Sequence, residues 1–329
     1  MNQFLRGLSA NEQVGLLFVI VFGVLLLASG GALLWSIRER GDDAASEARH
    51  LALRDFNRVL KTSWFMVVVF WLGWAAGDGV ATVLFAFVSF FAFREFITLS
   101  PTRRGDHRSL VLAFFVVLPV QYALVMTRHF DLFTVFIPVY VFLAFPVVSA
   151  LANDPQRFLE RNAKLQWGIM VCIYGMSHVP ALLLLDFRNY SGKGAFLVFF
   201  FVFVVQTAMI VQHLASRRLK RAPSAPNVSQ SFNWAAWSAG ILAGGFAGVA
   251  LSGITPFKPG QALGMSLIAC AAGSLGHLVM KALKRDRGVT NWGAQGASVT
   301  GASGLLDRVD GLCFAAPVFF HSVRWYFGL

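Results

Sequence analysis

Long apolar runs recur along the whole of this 329-residue sequence. Most are 16 to 23 residues long, the length at which a helix crosses a hydrocarbon core about 30 Å thick. Backbone groups in lipid must be satisfied internally, so each run is predicted to be a helix, and the short alternating strands of a membrane barrel are absent. Nine spans are predicted at residues 14–37, 62–77, 79–97, 109–127, 130–152, 166–186, 194–214, 234–254 and 261–283.

A tenth apolar segment, 311–327, is shorter and contains Pro317, His321 and Arg324, so it either crosses the bilayer or lies in a groove. The predicted fold is all-α, a polytopic integral membrane protein of nine or ten transmembrane helices in a single membrane domain, 1–329. With 57% hydrophobic and 13% charged residues, the chain is too apolar for one soluble domain.

The basic residues predict the orientation. Of the 28 Lys and Arg residues, 22 fall in alternate connections, at 38–61, 94–108, 157–164, 217–221 and 281–308. The positive-inside rule places these connections in the cytoplasm and the N-terminus outside, as in an inner-membrane protein. We therefore expect 38–61 to be a cytoplasmic interfacial connection and 215–233 a cytoplasmic loop.

The net charge of +12 follows from the same asymmetry and from attraction to anionic lipid. No recognition module accompanies the basic residues, so nucleic acid is not an expected partner. The three cysteines (Cys172, Cys270 and Cys313) lie in apolar segments without a CxxC pair and are predicted to be packing residues. Gly240, Gly244 and Gly248, four apart, predict close helix packing.

One polar stripe stands out in the ninth span. Ser274, His277, Lys281 and Lys284 fall on one face of the predicted helix. Ionisable groups at membrane depth are expensive and indicate a functional site. The alternative is that the two lysines simply extend to the cytoplasmic headgroups.

A second polar element opens the last apolar helix. Asp307 and Asp310 lie one turn apart, with Arg308 between them. Two neighbouring carboxylates require a cation, either a metal or a base such as Arg308. The alternative is that Asp307 is the N-cap of the helix and that both acids interact favourably with its dipole.

The stretch from Ser274 to Phe320, SLGHLVMKALKRDRGVTNWGAQGASVTGASGLLDRVDGLCFAAPVFF, resembles the signature of the phosphatidate cytidylyltransferases, also called CDP-diacylglycerol synthases. The Lys284-Arg285 pair, the Gly-rich turn and the Asp-Arg-hydrophobic-Asp run match in order and spacing. A weaker likeness covers FFAFREF at 90–96 and NVSQSFNW at 227–234.

The chain departs from the family pattern at several charged positions, as a divergent member would. His277 replaces a metal-binding aspartate, and Met280 replaces a glutamate. Thr290-Asn291 stands for a Lys-Asp pair, and an aspartate expected within 206–213 is missing.

The resemblance implies metal-dependent transfer of a cytidylyl group from CTP to phosphatidate, giving CDP-diacylglycerol and pyrophosphate. The implied catalytic residues are Lys284, Arg285, Asp307, Arg308 and Asp310. The implied substrate-binding residues are Ser229, Asn233, Ser274, Lys281, Ser303 and Gly304. Mg²⁺ would be held by Asp307 and Asp310, and His277 as a ligand would favour Mn²⁺ or Zn²⁺.

Two other functions remain open. A catalytically silent relative could bind lipid or nucleotide, or serve as a partner subunit, and the lost acids favour it. A transporter is the second alternative, disfavoured because no internal repeat is evident. Membrane lipid is an expected partner, and a homodimer is possible.

Overall fold

The structure is a computed structural model, and it describes residues 9–38, 74–187, 190, 192–219, 221–292 and 304–329, with seven isolated positions between 53 and 72. The chain divides into two compact units, Met1–Ala81 and Thr82–Leu329. Within the described residues every regular element is helical, apart from one isolated bridge between Ala225 and Ser229. The predicted all-α class is therefore confirmed.

The first unit contains helix α1 (Ala10–Arg38). Its start is set by a reciprocal capping box, because the N–H of Glu12 donates to Ser9 Oγ and the N–H of Ser9 donates to the Glu12 carboxylate. Further along the helix, Phe22 packs against Trp64, and the Trp64 indole donates to Ser29 Oγ at 3.0 Å. The predicted connection 38–61 lies almost entirely outside the described residues.

The helices that follow are α2 (Asp78–Thr98), α3 (Arg104–Met126), α4 (Phe130–Ala150), α5 (158–183), α6 (Gly194–Leu219), α7 (Trp234–Ala250), α8 (Pro259–Asp286) and α9 (Leu306–Phe327). Each predicted span within the described residues coincides with one of these helices. Helix α6 continues five residues beyond its predicted end at 214, with Arg217 and Arg218 in the last turn, where cations interact favourably with the helix dipole.

Among the helices that the structure describes, six (α1–α4, α6 and α8) are long and apolar enough to cross a membrane. Helix α7 has only 17 residues, and the predicted span 62–77 is mostly outside the described part. The protein is therefore an all-α membrane protein, while the count of nine or ten spans stays a prediction.

One proline inside a span frees a backbone carbonyl that a neighbouring helix satisfies. Pro146 has no N–H to donate to the carbonyl of Phe142, one turn earlier, and Gln166 Nε2 of α5 donates to that oxygen at 2.8 Å. Helices α3, α4 and α5 each also contain a π-helical segment, at 113–117, 136–141 and 169–175. The hydrogen bond from Gln166 to the carbonyl of Phe142 joins α5 to α4.

The C-terminal helices pack closely because small residues line their interfaces. Gly240, Gly244 and Gly248 of α7 face α6 and α8, and a Cβ on Gly248 would lie 1.8 Å from Ser266 Oγ. The helix-packing interpretation of this stripe is confirmed. Gly175 of α5 meets the backbone of α9 equally closely, with the carbonyl oxygen of Cys313 2.2 Å from an added Cβ.

Candidate active site

The polar stripe of α8 forms as its spacing predicts. Helix α8 is continuous through Ser274, His277, Lys281 and Lys284, which therefore share a face. Each of these side chains contacts a different element or residue of the surrounding bundle. Lys284 is only 12% exposed, so it does not extend into solvent as a snorkelling lysine would.

Close contact with α9 brings the two signature segments together. Gly276 packs against Phe314, whose Cβ would be 2.3 Å from an added Cβ, and Gly273 lies against the carbonyl of Gly311. Only glycine allows the α8 and α9 backbones to approach this far. The stripe on α8 is consequently placed directly opposite the acids at the start of α9.

Lys284 and Asp307 form the central ion pair. Lys284 Nζ lies 2.6 Å from Asp307 Oδ1, and both side chains are 12% exposed. The other carboxylate oxygen, Oδ2, accepts the backbone N–H of Trp292 at 2.8 Å. Both oxygens of Asp307 are thus engaged by groups that precede α9 in the chain, and the carboxylate is held in one orientation.

His277 and Asp310 form a second pair on the same interface. His277 Nδ1 lies 2.8 Å from Asp310 Oδ2, and Asp310 Oδ1 accepts the N–H of Gly311 at 2.6 Å. Asp310 is 1% exposed and His277 is 27% exposed. The buried carboxylate therefore orients the imidazole, whose Nε2 is left as the atom available to a ligand.

A glutamate from a distant helix caps α9. Oε1 and Oε2 of Glu95, on α2, accept the N–H groups of Leu305 and Leu306, each at 2.9 Å. Glu95 is fully buried. The alternative that Asp307 is the N-cap is wrong, because Leu305 occupies that position and the free N–H groups bond to Glu95.

Sequence reasoning did not assign a role to Glu95. It lies within FFAFREF, the weakly matching upstream element, and an acid inside an apolar span is itself a signal of function. The spacing could not reveal its partners, which are 210 and 211 residues away.

The connection between α6 and α7 covers the middle of the stripe. Ser229 is buried, and its Oγ accepts a long hydrogen bond of 3.4 Å from Lys281 Nζ. Asn233 Oδ1 accepts the N–H of Ala236, so this residue is the N-cap of α7. Phe232, in the same connection, is also buried.

Ser274 has a packing partner as well as a place in the stripe. Its hydroxyl donates to the carbonyl of Cys270 at 2.7 Å and accepts the indole N–H of Trp237 at 2.9 Å. These bonds join α8 to the first turn of α7.

The remaining residues of the signature differ in their exposure to solvent. Arg285 is exposed at the end of α8, Arg308 is half-buried beside Asp307, and Gly304 is buried before α9. Ser303 lies outside the described residues.

The donor set determines how a divalent metal could fit. Among the described residues, no three His, Cys, Asp or Glu side chains come together as a metal cluster. Mg²⁺ often uses only one or two protein carboxylates and takes its other ligands from substrate phosphates and water. Asp307 and Asp310 fit that limited role, because each presents carboxylate oxygens beside the cationic face of α8.

The fold and the site define an all-helical membrane protein with paired acids and cations where α8 meets α9. The sequence profile of the cytidylyltransferase family matches residues 56–326, which is most of the chain. The protein therefore belongs to the cytidylyltransferase family, and the resemblance to a divergent member is confirmed. The chain is also similar to the uncharacterized protein YnbB of Escherichia coli (strain K12), with 31% identity over 308 residues, 93% of this chain and 96% of the relative.

Proposed function

We propose that the protein transfers a cytidylyl group from CTP to phosphatidate. A phosphate oxygen of phosphatidate attacks the α-phosphorus of CTP, and the bond from the α-phosphorus to the oxygen bridging it to the β-phosphorus breaks. The products are CDP-diacylglycerol and pyrophosphate, so no protein nucleophile is needed. The observation that carries this proposal is the partly buried Lys284–Asp307 pair, within the family signature, where α8 meets α9.

The two reacting groups are both anionic, so their approach requires positive charge. Lys284, Arg285 and Arg308 would neutralise phosphate oxygens, and Asp307 orients Lys284 through their 2.6 Å contact. Of the substrate-binding residues that the resemblance implies, those within the described part of the chain would line the substrate site: Ser229, Asn233, Ser274, Lys281 and Gly304.

Asp307 and Asp310 are the residues that would hold Mg²⁺ or Mn²⁺, with His277 Nε2 as a further ligand favouring Mn²⁺. When bound, the ion would supply positive charge to the triphosphate. The protein's own residues supply the remaining cations and fix the carboxylates through Trp292 and Gly311.

The distribution of basic residues supports an inner-membrane location, with the N-terminus outside and the active face in the cytoplasm. In this orientation CTP reaches the site from the cytoplasm, and the lipid reaches it from the bilayer.

A catalytically silent relative is the second candidate, and a specific observation favours it. All four carboxylate oxygens of Asp307 and Asp310 already accept hydrogen bonds from the protein. In a silent relative these pairs would be structural and would leave no ligand for a metal.

The test uses full-length protein in lipid nanodiscs with radiolabelled CTP, phosphatidate and Mg²⁺ or Mn²⁺, assayed for labelled liponucleotide. Activity that is lost in Asp307→Asn and kept in Asp286→Asn supports the enzyme, since Asp286 is a neighbouring acid that is 65% exposed. Wild-type protein inactive with every metal overturns it in favour of the silent relative.

A further inference from the structure

Lys281 is a half-buried cation without an acidic partner among the described residues. Its hydrogen bond to the neutral Ser229 Oγ is long, at 3.4 Å. Lys284, one turn further along α8, is instead paired with Asp307 at 2.6 Å. The stripe thus contains one compensated and one uncompensated lysine.

Among the described residues, no neighbour of Lys281 neutralises its charge through direct contact. His213, near the end of α6, interacts electrostatically with Lys281 and with His277. The charge of Lys284 repels Lys281, and the carboxylate of Asp310 attracts Lys281 from a distance. Asp310 is committed to His277 and to the Gly311 N–H, so it gives Lys281 no direct contact.

Uncompensated positive charge in a low-dielectric site favours binding of an anion. The ligand must also accept hydrogen bonds, because the lysine ammonium and the serine hydroxyl both donate. A phosphomonoester meets both requirements.

We propose that Lys281, Ser229 and His213 form the subsite that binds the acceptor phosphomonoester of a lipid. This inference rests on the proposed function, in which Lys284 and Asp307 belong to a separate nucleotide subsite. The two lysines are three residues apart on α8, about 4.5 Å along the helix axis, so two phosphates can lie side by side. Ile268, Leu275 and Val279 of α8 are exposed apolar residues, so a lipid carrying the phosphate can stay in contact with the bilayer.

The test measures equilibrium binding of three probes to the full chain in phosphatidylcholine nanodiscs: phosphatidate, diacylglycerol and inorganic phosphate. Lys281→Gln is expected to weaken phosphatidate binding about tenfold or more and to leave CTP binding within about twofold. Lys281→Arg, which keeps the charge, should retain phosphatidate binding. Lys258→Gln is the matched control, because Lys258 is an exposed lysine at the opposite end of α8.

His213→Gln should weaken phosphatidate binding in the same direction, and thermal unfolding of every variant checks that the fold is intact. Phosphatidate binding unaffected by Lys281→Gln, or CTP binding lost in its place, overturns the subsite. Inorganic phosphate binding as tightly as phosphatidate overturns the assignment to a lipid.

The two proposals can fail separately. Phosphatidate binding that depends on Lys281 in a protein without transferase activity supports the subsite and rejects the proposed enzyme. Transferase activity with phosphatidate binding indifferent to Lys281 supports the enzyme and rejects the subsite.

Discussion

The carboxylate of Glu95 accepts the backbone N–H of Leu306 at 2.9 Å, although 211 residues separate them. A helix usually obtains its first hydrogen bonds from a neighbouring Ser, Thr, Asp or Asn. Here α2 provides them to α9, and Asp307 in the first turn of α9 is left to pair with Lys284.

Glu95 also occupies the position where an anion would otherwise bind. The N-terminus of a helix attracts phosphate through its free N–H groups and its dipole. With Glu95 on these groups, the proposed function leaves the side-chain cations of α8 and Arg308 as the groups that would bind substrate phosphates.

We expect Glu95→Ala to lower stability, because it leaves two buried N–H groups without partners at about 1–3 kcal/mol each. Glu95→Gln should be less severe, since one oxygen can still accept one N–H. Thermal unfolding in detergent measures both, with Asp286→Asn as the exposed-acid control. An unchanged midpoint in Glu95→Ala would show that the cap contributes nothing.

Much of the fold follows directly from the sequence. Apolar run length gave the positions of the described helices, and helical spacing placed Ser274, His277, Lys281 and Lys284 on one face. Helix positions and helix faces can be predicted in this way because they depend only on residues a few positions apart in the chain.

The remaining features depend on partners distant in the chain. Tertiary packing, and not local sequence, determines three contacts: Glu95 with the start of α9, Gln166 with the carbonyl freed by Pro146, and His277 with Asp310. A motif comparison finds the acids of α9 but gives no account of what already occupies their oxygens.

The contact between α5 and α9 predicts a sensitive glycine. In Gly175→Ala the new Cβ would lie 2.2 Å from the carbonyl oxygen of Cys313, so one helix must shift and stability should fall. Gly264→Ala in α8 is the matched control, because nothing lies within 4 Å of its added Cβ. Comparing thermal midpoints tests this, and equal effects of the two changes would contradict the close approach.

The Lys284–Asp307 pair should show strong coupling. Lys284→Met and Asp307→Asn each leave a partly buried group without its partner, whereas the double variant removes both charges. In unfolding experiments we expect the double variant to lose less than the sum, by about 1–3 kcal/mol. Liponucleotide formation should fall about 100-fold or more in all three. Additive stability effects would mean that the pair does not interact in solution.

Membrane orientation can be read from two engineered cysteines. In intact cells a membrane-impermeant thiol reagent should label Lys258→Cys and not Ser224→Cys, because the positive-inside rule predicts that the basic connections face the cytoplasm. The natural cysteines Cys172, Cys270 and Cys313 are buried, and replacing them with alanine removes any background. Labelling of Ser224→Cys from outside would reverse the orientation and move the proposed active face out of the cytoplasm.

The last prediction concerns His277, which stands where the family has a metal-binding aspartate. Its Nδ1 contacts Asp310, so His277→Asp places two carboxylates against each other, an arrangement that requires a cation. We expect this variant to bind Mg²⁺ and Mn²⁺ more tightly than wild type and to shift activity toward Mg²⁺, and we expect wild type to prefer Mn²⁺. His277→Asn removes the imidazole without adding charge and should gain no affinity. Mn²⁺ titration followed by electron paramagnetic resonance counts bound ions independently of activity. Equal Mn²⁺ affinity in His277→Asp and His277→Asn would show that position 277 does not face the metal, and would leave the His277–Asp310 pair a structural contact between α8 and α9.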